Sequence, residues 1–214
     1  MSVNGAVGFL ETTGLTPALV AVDVMFKSAP VRILQVEVND LYGVCVKLAG
    51  PVDAVSAAVQ AGRQLAEHMG GNPVSHVITG LASDAERAVL SPREYNPLIQ
   101  QEVVFQADGP TVENEKGNDK MSQENSFALG LIETQGFTAV FEAIDTACKT
   151  ANVEVIGKEK LGGGYVTVVI KGELSAVTAA VEAGQSKIGA LGKLIAAHVI
   201  ARPSQPVLGL LPKI

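Results

Sequence analysis

The stretch GFLETTG at residues 8–14 returns as GLIETQG at residues 130–136, and the shift of 122 positions that relates them decides the fold. The same shift carries Asp23 onto Asp145, Lys27 onto Lys149 and Gly50 onto Gly172. It lays AVSAAVQAG, from Ala54, on AVTAAVEAG, from Ala176, and His76-Val77-Ile78 on His198-Val199-Ile200. No gap intervenes between residues 8 and 78. One register held across strands, turns and helices marks a duplicated structural unit, so the two halves share a fold.

Within one half the periods are readable. Residues 6–12 are a short apolar run that reads as a strand. Residues 14–28 place Leu15, Ala18, Leu19, Val22 and Phe26 at the i, i+3, i+4 spacing of a helix face, with Lys27 in the last turn, where a cation suits the helix dipole. Residues 31–38 and 44–48 read as strands joined by a polar turn at Asn39-Asp40, hence a hairpin. Pro51, replaced by Glu173 in the second copy, opens a helix through Ala54-Val55, Ala58-Val59 and Ala61-Gly62, and residues 76–79 close the unit as a strand. Strand, helix, strand, strand, helix, strand is the ferredoxin-like plan, an α+β fold with two helices on one face of an antiparallel sheet. That plan hosts many activities, so function has to be argued from sites.

Residues 85–126 break the repeat. SPREYNPLIQQ and GPTVENEKGNDK are rich in Pro, Asn, Glu, Gln and Gly, a composition that buries too little apolar surface to offset its ordering entropy. The expected organisation is a first domain with a C-terminal extension over residues 1–105, a linker over 106–126 and a second domain over 127–214. Leu98-Ile99 and Val103-Val104-Phe105 are expected to pack on the first domain, and Met121-Ser122 resembles a second start.

Composition narrows the function. The 214 residues are 47% hydrophobic and only 18% charged, against about 25% charged in an ordinary soluble domain, so the chain is expected to bury surface against other chains. A net charge of −6 without a Lys/Arg stripe excludes broad nucleic-acid binding. Apolar runs stop short of the roughly 20 residues of a membrane span, and the start lacks the features of a signal peptide, so a cytoplasmic location is expected. Cys45 and Cys148 fall at non-equivalent places and read as two buried apolar thiols, with no metal site or disulfide framework.

GLIETQGF from Gly130, AIDTACKTANVEVIGKEKLGGGYVTVVIKGE from Ala143, AVEAG from Ala180 and HVIARP from His198 closely resemble the bacterial microcompartment shell domain across residues 127–214. GFLETTG, AVDVMFKSAPVRI and HVIT make the first half a more diverged copy of it. The resemblance implies a structural tile: tandem-domain members form trimers that imitate a hexamer, with a central pore for metabolites, and pack edge to edge with other shell proteins into a layer. It implies tile-edge positions at Lys27, Lys149, Asn152, His76, His198 and Arg202, although the first copy has Pro30 for Asn152 and Gly80 for Arg202. It also places the pore rim at Leu161, Gly162, Gly163 and Gly164 in one copy and at Asn39, Asp40, Leu41 and Tyr42 in the other. Three Asp40 carboxylates around one opening would disfavour anions. Neither turn holds a cysteine, so no iron–sulfur cluster or other cofactor is expected.

No nucleophile–base pair or acid cluster points to catalysis. His76 and His198 occupy equivalent strand positions, and His68 ends a helix. Glu11 and Glu133, repeated near a strand end, are expected to bind neighbouring backbone or an adjacent subunit. The competing reading is a ferredoxin-like regulatory trimer that binds a metabolite or nucleotide between subunits. The glycine turn joins two strands, whereas a phosphate loop sets its glycines before a helix, which favours the rim.

Overall fold

A computed structural model of the chain describes residues 5–39, 43–82, 85–106 and 127–211. The expected linker lies outside the described residues from residue 107 onward, as do Asp40, Leu41 and Tyr42 of the first turn. The first repeat runs β1 (Ala6–Thr13), α1 (Leu15–Ser28), β2 (Arg32–Val38), β3 (Gly43–Gly50), α2 (Val52–His68) and β4 (Val74–Ile78). The second runs β8 (Ala128–Gln135), α4 (Phe137–Thr150), β9 (Glu154–Gly162), β10 (Tyr165–Gly172), α5 (Leu174–Ser186) and β11 (Lys193–Ile200). Their antiparallel sheets have the orders β4-β1-β3-β2 and β11-β8-β10-β9, so the ferredoxin-like plan holds twice.

Alternation along the central strand divides each sheet into two faces. A Cβ on Gly8 would meet Val55 and Val59 at under 3 Å, and one on Gly130 would meet Val177 and Val181 likewise. The repeated glycine is therefore where the second helix of each unit crosses its central strand. Leu10 and Leu48 fill the same face beside α1 and α2, and Ile132, Ala139, Ala143, Val177 and Val181 do so in the second repeat.

The two helix pairs meet at Gly62 and Gly184. A Cβ on Gly62 would press on side chains alone, Met25 at 2.6 Å and Leu10 at 3.1 Å, whereas one on Gly184 would lie 2.7 Å from the backbone oxygen of Ala143. Met25 can shift and the α4 backbone cannot. Gly184→Ala is expected to cost about 2 kcal/mol and Gly62→Ala distinctly less, read as urea midpoints. Equal losses would mean that the α4–α5 backbones separate as easily as Met25 moves.

After β4 the first repeat acquires an extension of α3 (Glu86–Val89), β5 (Tyr95–Asn96), β6 (Gln101–Glu102) and β7 (Val104–Gln106). Strand β7 adds to β2 as a fifth strand and covers an otherwise open edge. Val103 and Val104 are buried, as expected, but Leu98, in the turn between β5 and β6, is 91% exposed. The anchor is Lys47: almost fully buried, it pairs with Glu37 at 2.5 Å and donates to the Gln35 side chain and the Val89 carbonyl. The chain ends its described part in α6 (Gln205–Gly209).

Candidate functional site

The helix-free face of the second sheet is covered by the first repeat. Leu129 and Leu131 of β8, Leu161 of β9, Tyr165 and Val169 of β10 and Ile200 of β11 share one apolar core with Leu15, Leu19 and Val22 of α1 and with Val207 and Leu210 of α6. Helix α1 thus lies between two sheets.

Glu133 is fully buried there. Neither α1 nor α4 caps its own start with a side chain, since a glycine, Gly14 or Gly136, holds each N-cap position. For α1 the other domain supplies the acceptor: the Leu15 and Thr16 amides donate to Oε1 and Oε2 of Glu133 at 2.9 and 2.8 Å. The first-turn amides of a helix have no partner within it and carry partial positive charge, which suits a carboxylate. Gly14 sits at φ 92°, and a Cβ there would lie 3.0 Å from Glu133 Oε2, so only glycine combines that turn with that approach. Burial pushes the Glu133 carboxyl above its ordinary value, against the pull of the Thr16 and Leu15 amides.

Two further contacts complete the junction. Asp23 Oδ1 accepts from the Ser204 amide at 2.8 Å while Oδ2 pairs with Lys27 at 2.6 Å, and Lys27 also donates to the Arg202 carbonyl. From the extension, Gln101 receives the Lys160 amide at 2.9 Å and donates to the Lys160 carbonyl, covering the free edge of β9. Glu159 faces the same junction, 7% exposed, with Oε2 unpartnered. It lines a narrow apolar cavity with Leu15, Leu19, Phe105, Leu161 and Leu210. Burial pushes its carboxyl up to about 7, with Lys160 pulling the other way.

The expected positions are distributed around this junction. Lys27 and Arg202 meet in it, and half-buried His198 lies near Asp23, with burial lowering its basicity and the Asp23 charge raising it. His76, the counterpart on β4, is exposed. Lys149 pairs with Asp145 on the surface of α4. Asn152 lines an open groove of about 390 Å3 with Phe127, Glu154, Lys171 and Glu173.

At the β9–β10 turn, Gly162, Gly163 and Gly164 have φ of 83°, 54° and 82°, a left-handed run that side chains resist. Gln135 donates to the Gly163 carbonyl and the Gly136 amide to the Gly164 carbonyl. Leu161, expected at the rim, is 1% exposed and belongs to the core behind the turn. In the first copy, Asn39 accepts the Gly43 amide and donates to Glu11, bracing its turn from below.

Cys148 is exposed rather than buried, because it occupies the outward position of α4 that Phe26 holds on α1; Cys45 is half-buried, its thiol pushed up to about 11 mainly by burial. Among the described residues no group of three or more His, Cys, Asp or Glu is placed to hold a metal ion. No described helix is long and apolar enough to cross a membrane.

A family model described as the BMC domain matches residues 6–91 and again 128–203. The bacterial microcompartment shell protein PduA of Citrobacter freundii is 47% identical over 93 residues, 44% of this chain and 97% of that protein. The carboxysome shell protein CsoS1C of Hydrogenovibrio crunogenus is 49% identical over 94 residues, 42% of this chain and 92% of that one. A microcompartments protein from Desulfitobacterium hafniense, known from its crystal structure, covers 94% of this chain and 96% of its own at 23% identity, with a TM-score of 0.36. Both halves of the molecule are accounted for by one domain, and the chain belongs to the BMC-domain family.

Proposed function

We propose that the chain is a structural shell protein of a bacterial microcompartment, and that three copies close head to tail into a pseudohexameric tile with a central pore. The observation that carries this reading is the difference between two equivalent helices. On α1, Leu15, Thr16, Leu19, Val20, Val22 and Asp23 are buried in addition to the face that packs on its own sheet. Their counterparts on α4 are Phe137, Thr138, Phe141, Glu142 and Asp145, all exposed, and half-buried Ile144. The helix-free face of the first sheet is likewise open at Glu11, His76 and Val74, where the second sheet receives α1.

One surface is thus satisfied within the chain, while the outer side of α4 and the part of the first sheet at Glu11, His76 and Val74 stay exposed. Such a heterologous contact, repeated between chains, closes a ring or grows a filament. Resemblance to the tandem-domain class supports closure at six domains, hence three chains. In that ring the glycine turns of residues 162–164 alternate with the turns that Asn39 opens around the passage through which small metabolites pass. Asn152 and Arg202 stand toward neighbouring tiles, whereas His76 and Lys149, expected at the tile edge, belong to the surfaces that join chains within the ring. The protein is not an enzyme, its partners are other shell proteins, and its place is the microcompartment shell in the bacterial cytoplasm.

Light scattering on the purified protein is expected to give three times the 22.1 kDa chain mass, with sheets or tubes in negative stain at higher concentration. A stable monomer or dimer without assemblies would overturn the tile and favour a binding module instead.

A further inference from the structure

Because the two domains are copies, each contact that α1 makes with the second domain through repeated positions specifies a contact that α4 can make with the first domain of the next chain. We infer that Glu11 is the lock between chains: its carboxylate accepts the Phe137 and Thr138 amides at the start of α4 of the partner subunit, as Glu133 accepts Leu15 and Thr16 within the chain. The inference rests on the ring reading above and adds to it the residue that holds the ring shut.

Four observations converge on this pairing. Glu11 occupies the β1 position that Glu133 occupies on β8, one opposite Cys45 and the other opposite Thr167 in the neighbouring strand. Helix α4 has no side-chain cap of its own, and its N-cap Gly136 repeats the left-handed conformation of Gly14, at φ 121°. A Cβ on Gly14 would press on Glu133, whereas one on Gly136 would meet nothing closer than 3.6 Å, so the space that the incoming carboxylate fills at α1 is open at α4. Glu11 is exposed and, among the described residues, accepts one side-chain hydrogen bond, from Asn39 Nδ2 at 3.1 Å, which leaves carboxylate lone pairs for two amides.

The same shift places the rest of the seam. Asp145 and Lys149 already form the ion pair that Asp23 and Lys27 form at the inner junction. They stand to receive the Ala82 amide of the partner subunit and to donate to the Gly80 carbonyl of the partner subunit, in place of Ser204 and Arg202. These acceptors and donors are backbone groups, so the divergence of the side chains there does not remove them. Phe137 and Phe141, both over 40% exposed, take the places of Leu15 and Leu19 and supply the apolar part.

The test compares Glu11→Gln with the wild-type chain by mass photometry over a dilution series, with hydrogen exchange on the peptide spanning residues 136–141. A carboxylate on helix amides is a charge-assisted bond, so association should weaken by at least about tenfold per interface, while each chain stays folded because Glu11 is exposed in it. Protection of residues 136–141 should be high in the assembled wild type and lost in the variant, with residues 14–19 protected in both. A wild-type ring that Glu11→Gln leaves equally tight and equally protected would overturn the lock and leave the ring standing. A wild-type chain that forms no ring would overturn both.

Discussion

Glu133→Ala is expected to destabilise the chain by about 3–5 kcal/mol, the largest loss of any single polar substitution considered. The side chain is fully buried and accepts two amides from the start of α1, so truncation orphans both donors at the positive end of a helix and leaves a cavity. Each unsatisfied buried donor costs roughly 1–3 kcal/mol, and removing one partner of a buried charged contact sits at the upper end of single-site effects. Glu133→Gln should lie between, because its carbonyl retains one amide while its NH2 group faces the other. The loss should be local as well as global: amides at the beginning of α1 should exchange faster in Glu133→Ala, while α5, packed within the second domain, keeps its protection. Urea unfolding followed by both probes reads this directly. A loss under about 1 kcal/mol would mean that water replaces the carboxylate at the junction.

The duplicated unit was legible in the sequence because its evidence is redundant. Strand alternation, the helix face at Leu15, Ala18, Leu19 and Val22, and the hairpin turn each occur twice in one register, and local periods survive whatever packs on them. The role of Glu133 was legible for the same reason, as a polar residue repeated near a strand end. Other features depend on long-range docking, which leaves no local period. Strand β7 exists because Lys47 and Gln35 fix the extension over the first sheet, and its three residues carry no pattern of their own. Lys47 could have been noticed: the shift of 122 sets it against Val169, a charge in a place where the other copy is apolar. Cys148 was misplaced because a thiol in an apolar helix scores as core, whereas the shift aligns it with Phe26, which points outward on α1.

Glu159 is the other residue whose environment the strand pattern hides, and burial makes its contribution to stability depend on pH. EVIGKEKLG alternates charge in the manner of a solvated strand, yet docking of the first repeat buries the carboxyl beside Leu15, Leu19 and Leu210. Its counterpart in the first copy, Glu37, is paired with Lys47; the second copy keeps the acid and has Val169 where that base would stand. With Oε2 unpartnered, the neutral acid is the favoured form, and the carboxyl moves from 4.5 to about 7. A folded chain that holds its proton more tightly than the unfolded one loses stability as pH rises. The contribution is fully present below about pH 4.5 and declines until pH passes about 7, a total of about 3 kcal/mol. Glu159→Gln fixes the neutral shape, so it should match the wild type at pH 4.5 and exceed it by about 3 kcal/mol at pH 8.5, read as urea midpoints at the two values. Equal pH slopes in the two proteins would mean that water reaches Glu159 and that the junction is wet at β9. The expected difference instead makes this junction dry there, with Glu133 holding α1 at one side and an uncompensated acid weakening the same contact at the other.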